Sequence, residues 1–325
     1  MKHWAHNGLK ALTSAWVLAL LATVAWSQSL TWLGTLPGGD WSVANGVSAN
    51  GAVVVGETYY YDVSVGYFVV YGRAFRWTAS GGMQDLGTLG GRESYAYGVS
   101  ADGAVVVGVA QNAGQGRAFR WTASRGMQGL GTLGGNESWA YGVSADGAVV
   151  VGVAYNAAWQ LRAFRWTASR GMQDLGTLGG NESWARGVSA NGTVVGSAQD
   201  AAGQRRAVRW TASGIEDLNT TYASLLTNGS VLYEARAISP DGRYIVGYGR
   251  NAATNRNEAF LLDTRCTTHN GDVDANGCVD DADLLAVLYA FGNRGSNLGR
   301  VDVNCDAAVD DADLLTVLFN FGSGC

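Results

Sequence analysis

Two stretches near the C-terminus carry oxygen-bearing side chains at alternate positions. Asp272, Asp274, Asn276, Cys278 (through its carbonyl), Asp280 and Asp283 fall at positions 1, 3, 5, 7, 9 and 12 of a twelve-residue loop, with Gly277 at position 6. Asp302, Asn304, Asp306, Ala308 (through its carbonyl), Asp310 and Asp313 repeat the spacing 30 residues later, with Ala307 where the glycine would stand. Hard oxygen donors at this spacing around a sharp central turn are the ligand set of a Ca2+ loop. Two Ca2+ sites are expected, the second weaker because Ala307 strains its turn.

Each loop needs a rigid element to aim its last carboxylate. The sequence predicts helices over 281–291 and 311–321, with Leu284, Leu285, Val287, Leu288 and Phe291 as an apolar face and Gly292 and Gly322 as stops. All four cysteines, Cys266, Cys278, Cys305 and Cys325, lie in this segment. An even count in a small module outside the cytoplasm reads as two disulfides with three possible connectivities. Cys266–Cys278 with Cys305–Cys325, one clamp per loop, is the preferred pairing, and Cys266–Cys325 is an alternative. A thiolate metal site is disfavoured, since the Asp-rich spacing already selects a hard cation.

This duplicated loop and helix, with Asp at position 12, resembles the type I dockerin, an EF-hand-type module. The resemblance implies a calcium-dependent plug for a cohesin-like or cell-surface partner. Positions 10 and 11, often Ser/Thr in such modules, are Asp281-Ala282 and Asp311-Ala312 here, and Leu288-Tyr289 and Leu318-Phe319 replace later basic residues. Calcium binding therefore carries over more directly than cohesin recognition.

The rest of the chain is of a different kind. The whole chain holds 47 Gly against two Pro and carries a net charge of −5. Residues 267–325 hold ten Asp and two Arg, while the repeats before them are nearly neutral, a balance that argues against nucleic acid as partner. Residues 1–27 read as a signal peptide: Lys2 and Lys10, an apolar stretch over 11–24, and Ala25-Trp26-Ser27 before a cleavage at Gln28. That stretch is short for a membrane span, and none follows. An extracellular or cell-surface protein is expected.

Five units repeat over 30–262. Arg-Ala-Phe-Arg-Trp starts at Arg73, Arg117 and Arg162, with a variant at Arg206, a period of 44 or 45 residues. Each unit has about four strand-like runs; in the second they cover 83–89, 95–100, 104–110 and 117–122. Asn50-Gly51, Asp102-Gly103, Asp146-Gly147 and Asn191-Gly192 signal tight type I′ hairpins. The Val-Val-Val runs that follow suit strands buried on both faces. Four short strands per unit predict a mainly β fold, a five-bladed β-propeller, closed where 29–36 meets 259–262. A β-solenoid is the alternative. Residues 57–71 form an inserted Tyr-rich loop or extended hairpin.

The frame Asp-Leu-Gly-Thr-Leu-Gly-Gly, Ser-x-Ala-x-Gly-Val-Ser, Gly-x-Val-Val-Val-Gly and Ala-Phe-x-Trp resembles the HAF repeat of extracellular bacterial proteins over 33–262. Arg73, Arg117, Arg162 and Arg206 stand at its name-giving His. The resemblance implies secretion and repeat structure but no chemistry.

Within the repeats a Ser-His-Asp or Cys-His site is excluded, because His269 is the sole His after residue 27 and no Cys precedes Cys266. Glu93, Glu137 and Glu182 recur in three units, as turn-stabilising residues recur and a single active site does not. Trp41, Tyr95, Trp139 and Trp184 would recur on one side, as blade packing or as a glycan-binding rim. The recurring Arg form a basic ring or pair with Asp85, Asp174 and Asp217. The organisation expected is a signal peptide (1–27), an HAF-repeat propeller (28–263) and a dockerin-like calcium module (264–325). The function expected is non-enzymatic binding or structure, tethered by the module. A polysaccharide-degrading enzyme using propeller carboxylates is the alternative.

Overall fold

The hairpin at the centre of each repeat is closed by its own side chains. Ser48 Oγ donates to Asn50 Oδ1 (2.9 Å) and accepts the Val53 N–H (3.0 Å), while Asn50 Oδ1 accepts the Ala52 N–H (3.0 Å). Ser100 with Asp102, Ser144 with Asp146, Ser189 with Asn191 and Ser239 with Asp241 do the same. These hydroxyl bonds hold the Asp102 and Asp146 carboxyls below their ordinary range. The turn type differs from expectation. Gly51, Gly103, Gly147 and Gly192 have positive φ but the Asn or Asp before them does not, so these are not type I′ turns. The side-chain bond two residues on keeps Asn or Asp right-handed and leaves only Gly in αL.

A computed structural model describes residues 28–325 apart from 63–68, 227, 266–268, 296–297 and 307. The expected signal peptide, Cys266 and Ala307 thus lie outside the described residues. Residues 33–325 form one compact unit, which includes the boundary expected at 264. Its first blade is β1 (Trp41–Val47), β2 (Val53–Asp62), β3 (Val69–Thr78) and β4 (Gly82–Asp85). The second is β5 (Ser94–Val99), β6 (Val105–Asn112), β7 (Gln115–Thr122) and β8 (Gly126–Gly129). The third is β9 (Gly134–Val143), β10 (Val149–Asn156), β11 (Leu161–Thr167) and β12 (Gly171–Asp174). The fourth is β13 (Gly179–Val188), β14 (Val194–Asp200), β15 (Arg205–Thr211) and β16 (Gly214–Asp217). After α1 (Leu218–Thr221) the fifth has only β17 (Val231–Ile238), β18 (Tyr244–Asn251) and β19 (Arg256–Asp263). All five sheets are antiparallel meanders in chain order. α2 (Asp281–Ala290) and α3 (Asp311–Phe319) follow.

The repeat frame and the sheet frame are offset. Residues 82–85 close the blade before them, and the Leu-Gly-Thr-Leu run crosses to the next blade without being a strand. Its bends are set by Gly87 and Gly90 at positive φ and by Asp85, whose Oδ1 accepts the Gly87 N–H (2.8 Å). The same run at the start explains why 29–36 is not the closing strand. Leu36 is buried, its N–H bonded to Thr58 Oγ1 (3.2 Å), but the segment pairs with no strand. β2 and β3 pair in register from Val53↔Thr78 to Asp62↔Val69, so residues 57–62 and 69–71 are paired arms of an extended hairpin.

Blades are joined by apolar cores and by repeated polar links. Val105, Val106 and Val107 are all buried, as continuous apolar runs predict for a strand covered on both faces. Val53, Val55, Ala74 and Leu86 of the first blade pack on Ala96, Val106, Phe119 and Trp121 of the second. Equivalent cores join second to third, third to fourth and fourth to fifth. Buried Ser94 accepts the Ala74 N–H of the preceding blade (3.0 Å). Arg120 reaches the Gly147 carbonyl of the following hairpin (3.4 Å), as Arg76 reaches Gly103 (3.3 Å). Arg120→Leu, which copies Leu261 of the fifth blade, is expected to cost about 1 kcal/mol for this partly exposed link, read as a lowered urea midpoint. Among the described residues no helix is long and apolar enough to cross a membrane.

Candidate metal centre

The acidic loops are built around two buried carboxylates. Asp283 Oδ1 accepts the N–H of Val273 (2.6 Å) and Asp274 (3.0 Å), and its Oδ2 accepts the Asp280 N–H (2.9 Å). Asp313 makes the same three bonds to Val303 (2.6 Å), Asn304 (3.1 Å) and Asp310 (3.0 Å). Both sit at the third position of their helices. There Asp280 and Asp310, as N-caps, complete capping boxes and bond Ala282 N and Ala312 N. The helix start thus fixes position 12 against the loop's beginning.

The other carboxylates turn inward by local bonds. Asp272 accepts from Asn276 N and Gly277 N (both 3.1 Å), and Asp274 from Asn276 N (3.0 Å). Asp302 accepts from Asp306 N (3.1 Å), and Asp306 from Ala308 N (2.9 Å). Carboxylate oxygens of Asp272, Asp274 and Asp283 lie within 4.8 Å of one another, as do those of Asp302, Asp306 and Asp313. Arg300 donates to the backbone carbonyls of Asp272 and Val273 at the start of the first loop. Three converging anions, one of them fully buried, cost free energy unless a cation joins them. The donors are all oxygen, so a hard divalent ion fits and Ca2+ suits the loop length. Gly277 has φ of +92°, as position 6 requires, and position 4 is also left-handed in both loops, at Ala275 and Cys305.

The loops are cross-braced, which decides the disulfides. Val279 of the first loop bonds the chain after α3: Val279 N to Ser323 O (3.0 Å) and Gly322 N to Val279 O (2.8 Å). Val309 of the second loop bonds the chain after α2 in the same way, through Gly292 N (2.8 Å) and Asn293 O (2.9 Å). The C-terminus therefore returns to the first loop, and Cys278 pairs with Cys325, their Cα atoms 4.6 Å apart. This corrects the expected clamp per loop and its Cys266–Cys325 alternative. Cys305 is disulfide-bonded too.

Helix packing splits the expected apolar face. Val279, Val287, Val309 and Val317 form the core with Leu284 and Leu314 beside them. Leu285, Leu288, Tyr289 and Phe291 are exposed, as are Leu315, Leu318, Phe319 and Phe321. The helices end at 290 and 319, with Gly292 and Gly322 at positive φ just beyond.

His269 enters the first loop as a neutral ring. Its Nδ1 accepts the Gly271 N–H (3.2 Å) and its Nε2 donates to Arg300 O (2.8 Å). Burial holds it below the usual imidazole pKa. The folded state then binds fewer protons than the unfolded one, so this contribution to stability is present above about pH 6.5 and falls as pH drops toward the folded value. An NMR titration is expected to place His269 below a free imidazole.

In the propeller, the expected aromatic row is uneven. Hairpin register puts Val43, opposite Glu57, where Tyr95, Trp139 and Trp184 stand, so Trp41 is two residues out of line. It stacks on Tyr59 at 3.9 Å. Tyr95 packs over Gly72 of the preceding blade, where a Cβ would fall 2.4 Å from the ring. Arg205 lies 4.6 Å over Trp184. In the fifth blade the position is Glu234, buried and paired with Arg186 (2.8 Å) and Arg205 (3.1 Å). Sequence periodicity missed that charge cluster because the fifth repeat diverges there.

A cleft of about 240 Å3 opens between second and third blades, lined by Glu93, Tyr95, Tyr97, Gln111, Glu137 and Trp139. Burial, with the Glu93 charge next, pushes the Tyr95 phenol up to about 12. The recurring arginines are structural in part. Arg73 pairs with Asp85 (2.9 Å) and Arg162 with Asp174 (3.1 Å), whereas Arg206 takes Asp200 (3.0 Å) because Asp217 caps α1. Glu93 and Glu182 accept from Tyr95 Oη (3.2 Å) and Gln199 Nε2 (3.1 Å).

Five antiparallel sheets in chain order, each packed on the next, define a β-propeller protein with a C-terminal helical segment. No protein-family model and no curated protein matches the chain. Solved structures with a similar fold include TolB from Agrobacterium tumefaciens, at 16% identity and TM-score 0.46, covering 68% of this chain and 76% of that one. The β-propeller domain of the Trilobed protease from Pyrococcus furiosus is similar at 11% identity and TM-score 0.45, over 69% and 70%. An oligogalacturonate lyase in complex with manganese follows at 12% and 0.38, over 67% and 64%. These likenesses concern the fold.

Proposed function

We propose that this chain is an exported, non-enzymatic binding or structural protein, its HAF-type propeller tethered through a calcium-loaded, dockerin-like module. The observation that supports this reading is the pair of carboxylate triads, each locked by a buried aspartate to the start of its own helix. Calcium rigidifies the loops, and the paired exposed patches around Tyr289 and Phe319 are the surface offered to a cohesin-like or cell-surface partner. Calorimetric titration of residues 28–325 with Ca2+ is expected to give two sites, the second weaker. Absence of calcium heat, with no shift in unfolding temperature on adding EGTA, would sink the reading.

The cleft beside Tyr95 and Trp139 supports a second reading, in which the propeller binds a glycan. Aromatic walls stack on sugar faces, and Glu93 and Glu137 accept hydroxyl hydrogen bonds. A polysaccharide binding screen with and without EGTA tests it: retention unaffected by EGTA and lost in Trp139→Ala is expected. Release of reducing ends, abolished by Glu137→Gln, would favour the enzymatic alternative instead.

A further inference from the structure

The five blades make four apolar junctions, and each has the same polarity. The trailing face of one blade, carrying the Val55, Val107, Val151 or Val195 position, receives the leading face of the next. Two faces are left over, one of each kind. On the trailing face of the fifth blade, Val246 is 41% exposed where Val55, Val107, Val151 and Val195 are all 0%. Ala259 and Leu261 beside it are exposed too, Leu261 at 68%. On the leading face of the first blade, Val47 is 60% exposed and Ala44 is open, where Ala96, Ala140, Ala185 and Ala235 are 0%. Hairpin glycines Gly103 and Gly147 press on Val53 and Val105 of the blade before, but a Cβ on Gly51 would meet nothing within 4 Å. Among the described residues no hydrogen bond and no shared core joins the first and fifth blades.

We infer that a second copy of this chain covers these faces, the first blade of one molecule docking head-to-tail on the fifth blade of another. The partner's chemistry is written in the chain itself, because the internal junctions already match these two surfaces four times. Repeat arrays normally end in polar capping faces, and among the described residues neither end here has one. A head-to-tail contact is heterologous, so it generates a ring of copies or a short filament. The junction between copies rests on apolar contact. Ala49, Ala101 and Ala190 each donate an N–H to the next blade, but Pro240 at that position has no N–H. Leu261 likewise stands where Arg76 and Arg120 make their links. The association is therefore weaker than an internal junction and depends on concentration.

Ala237 and Val47 are the test positions. Their internal counterparts, Gly46 and Val99, approach so that a Cβ on Gly46 lies 3.6 Å from Val99 Cγ1. Residues 28–325 carrying Val47→Cys, mixed with the same chain carrying Ala237→Cys and oxidised, are expected to form a disulfide between the substituted positions of two chains. Sedimentation velocity of the unsubstituted protein is expected to show concentration-dependent association that survives EGTA, so the result does not depend on the calcium module. Leu261→Asp is expected to raise the dissociation constant at least tenfold. A chain with both cysteine substitutions that cross-links only within itself would show ring closure and overturn the inference. So would a mixture that forms no cross-link together with monomeric sedimentation at all concentrations.

Discussion

Asp283→Ala is expected to abolish calcium binding at the first loop and to unfold the segment around it. The substitution removes one carboxylate of the triad and the acceptor for three backbone N–H groups at once. Each buried donor left without an acceptor costs about 1–3 kcal/mol. The lost ion adds about 2.7 kcal/mol at free calcium a hundredfold above its dissociation constant. Asp283→Asn separates the two effects, keeping an amide oxygen for the loop while losing the charge. Calcium-dependent stabilisation should fall to that of the second loop in both variants, but only the alanine protein should lose helix signal in EGTA. Asp281→Ala, one residue outside the ligand positions, is the control. If calcium stabilises the alanine protein as fully as the parent, the register assigned to the loop is wrong. Equivalent behaviour is expected of Asp313, since its three bonds repeat those of Asp283.

Phe119→Ala is expected to lower propeller stability by about 3–5 kcal/mol, the range for emptying a fully buried aromatic site. Phe119 is completely buried in the core between first and second blades, with Val53, Val55, Val106 and Trp121 around it. The fourth blade carries Val208 at the same position, also completely buried. Phe119→Val should therefore lose less, because a branched residue is already accommodated in this geometry. Urea denaturation followed by tryptophan fluorescence reads both midpoints. Equal losses for Val and Ala would mean that the site is filled by shape particular to the second blade.

How far the fold was legible follows from how local each signal is. Val-Val-Val over 105–107 announced a strand buried on both faces because that burial needs no partner to be named, only an apolar run of strand length. The Ser-Ala-Asp-Gly hairpins were legible in position but not in type. Type I′ follows from Asp-Gly alone, whereas the Ser100–Asp102 bond redirects the backbone at the residue before Gly. The assignment of 83–85 to its blade was lost for a related reason. Residues that repeat together need not pair together, and only the pairing of Trp77 with Met83 shows that this strand ends the first blade. Trp41 looked equivalent to Tyr95 by type and failed by register, since strand partners and not residue identity define a row.

The acidic loops with which the chain's chemistry begins show the same division. Their candidate ligands lie within twelve consecutive residues, so the sequence by itself placed these carboxylates in one short loop and a helix directly after position 9, while the capping by Asp280 and Asp310 emerged only in the structure. The mainly β character of the repeats, with its period and its buried strands, was determined in the same local way. What only the tertiary structure decided involves segments far apart along the chain. The return of residues 322–325 to Val279 chose Cys278–Cys325, and the packing of Val287 against Val317 sent Leu288 and Leu318 outward. The uncovered faces of the first and fifth blades were decided there too. Whether Val47 and Val246 find a neighbour depends on the geometry accumulated over five junctions, and no single repeat contains it.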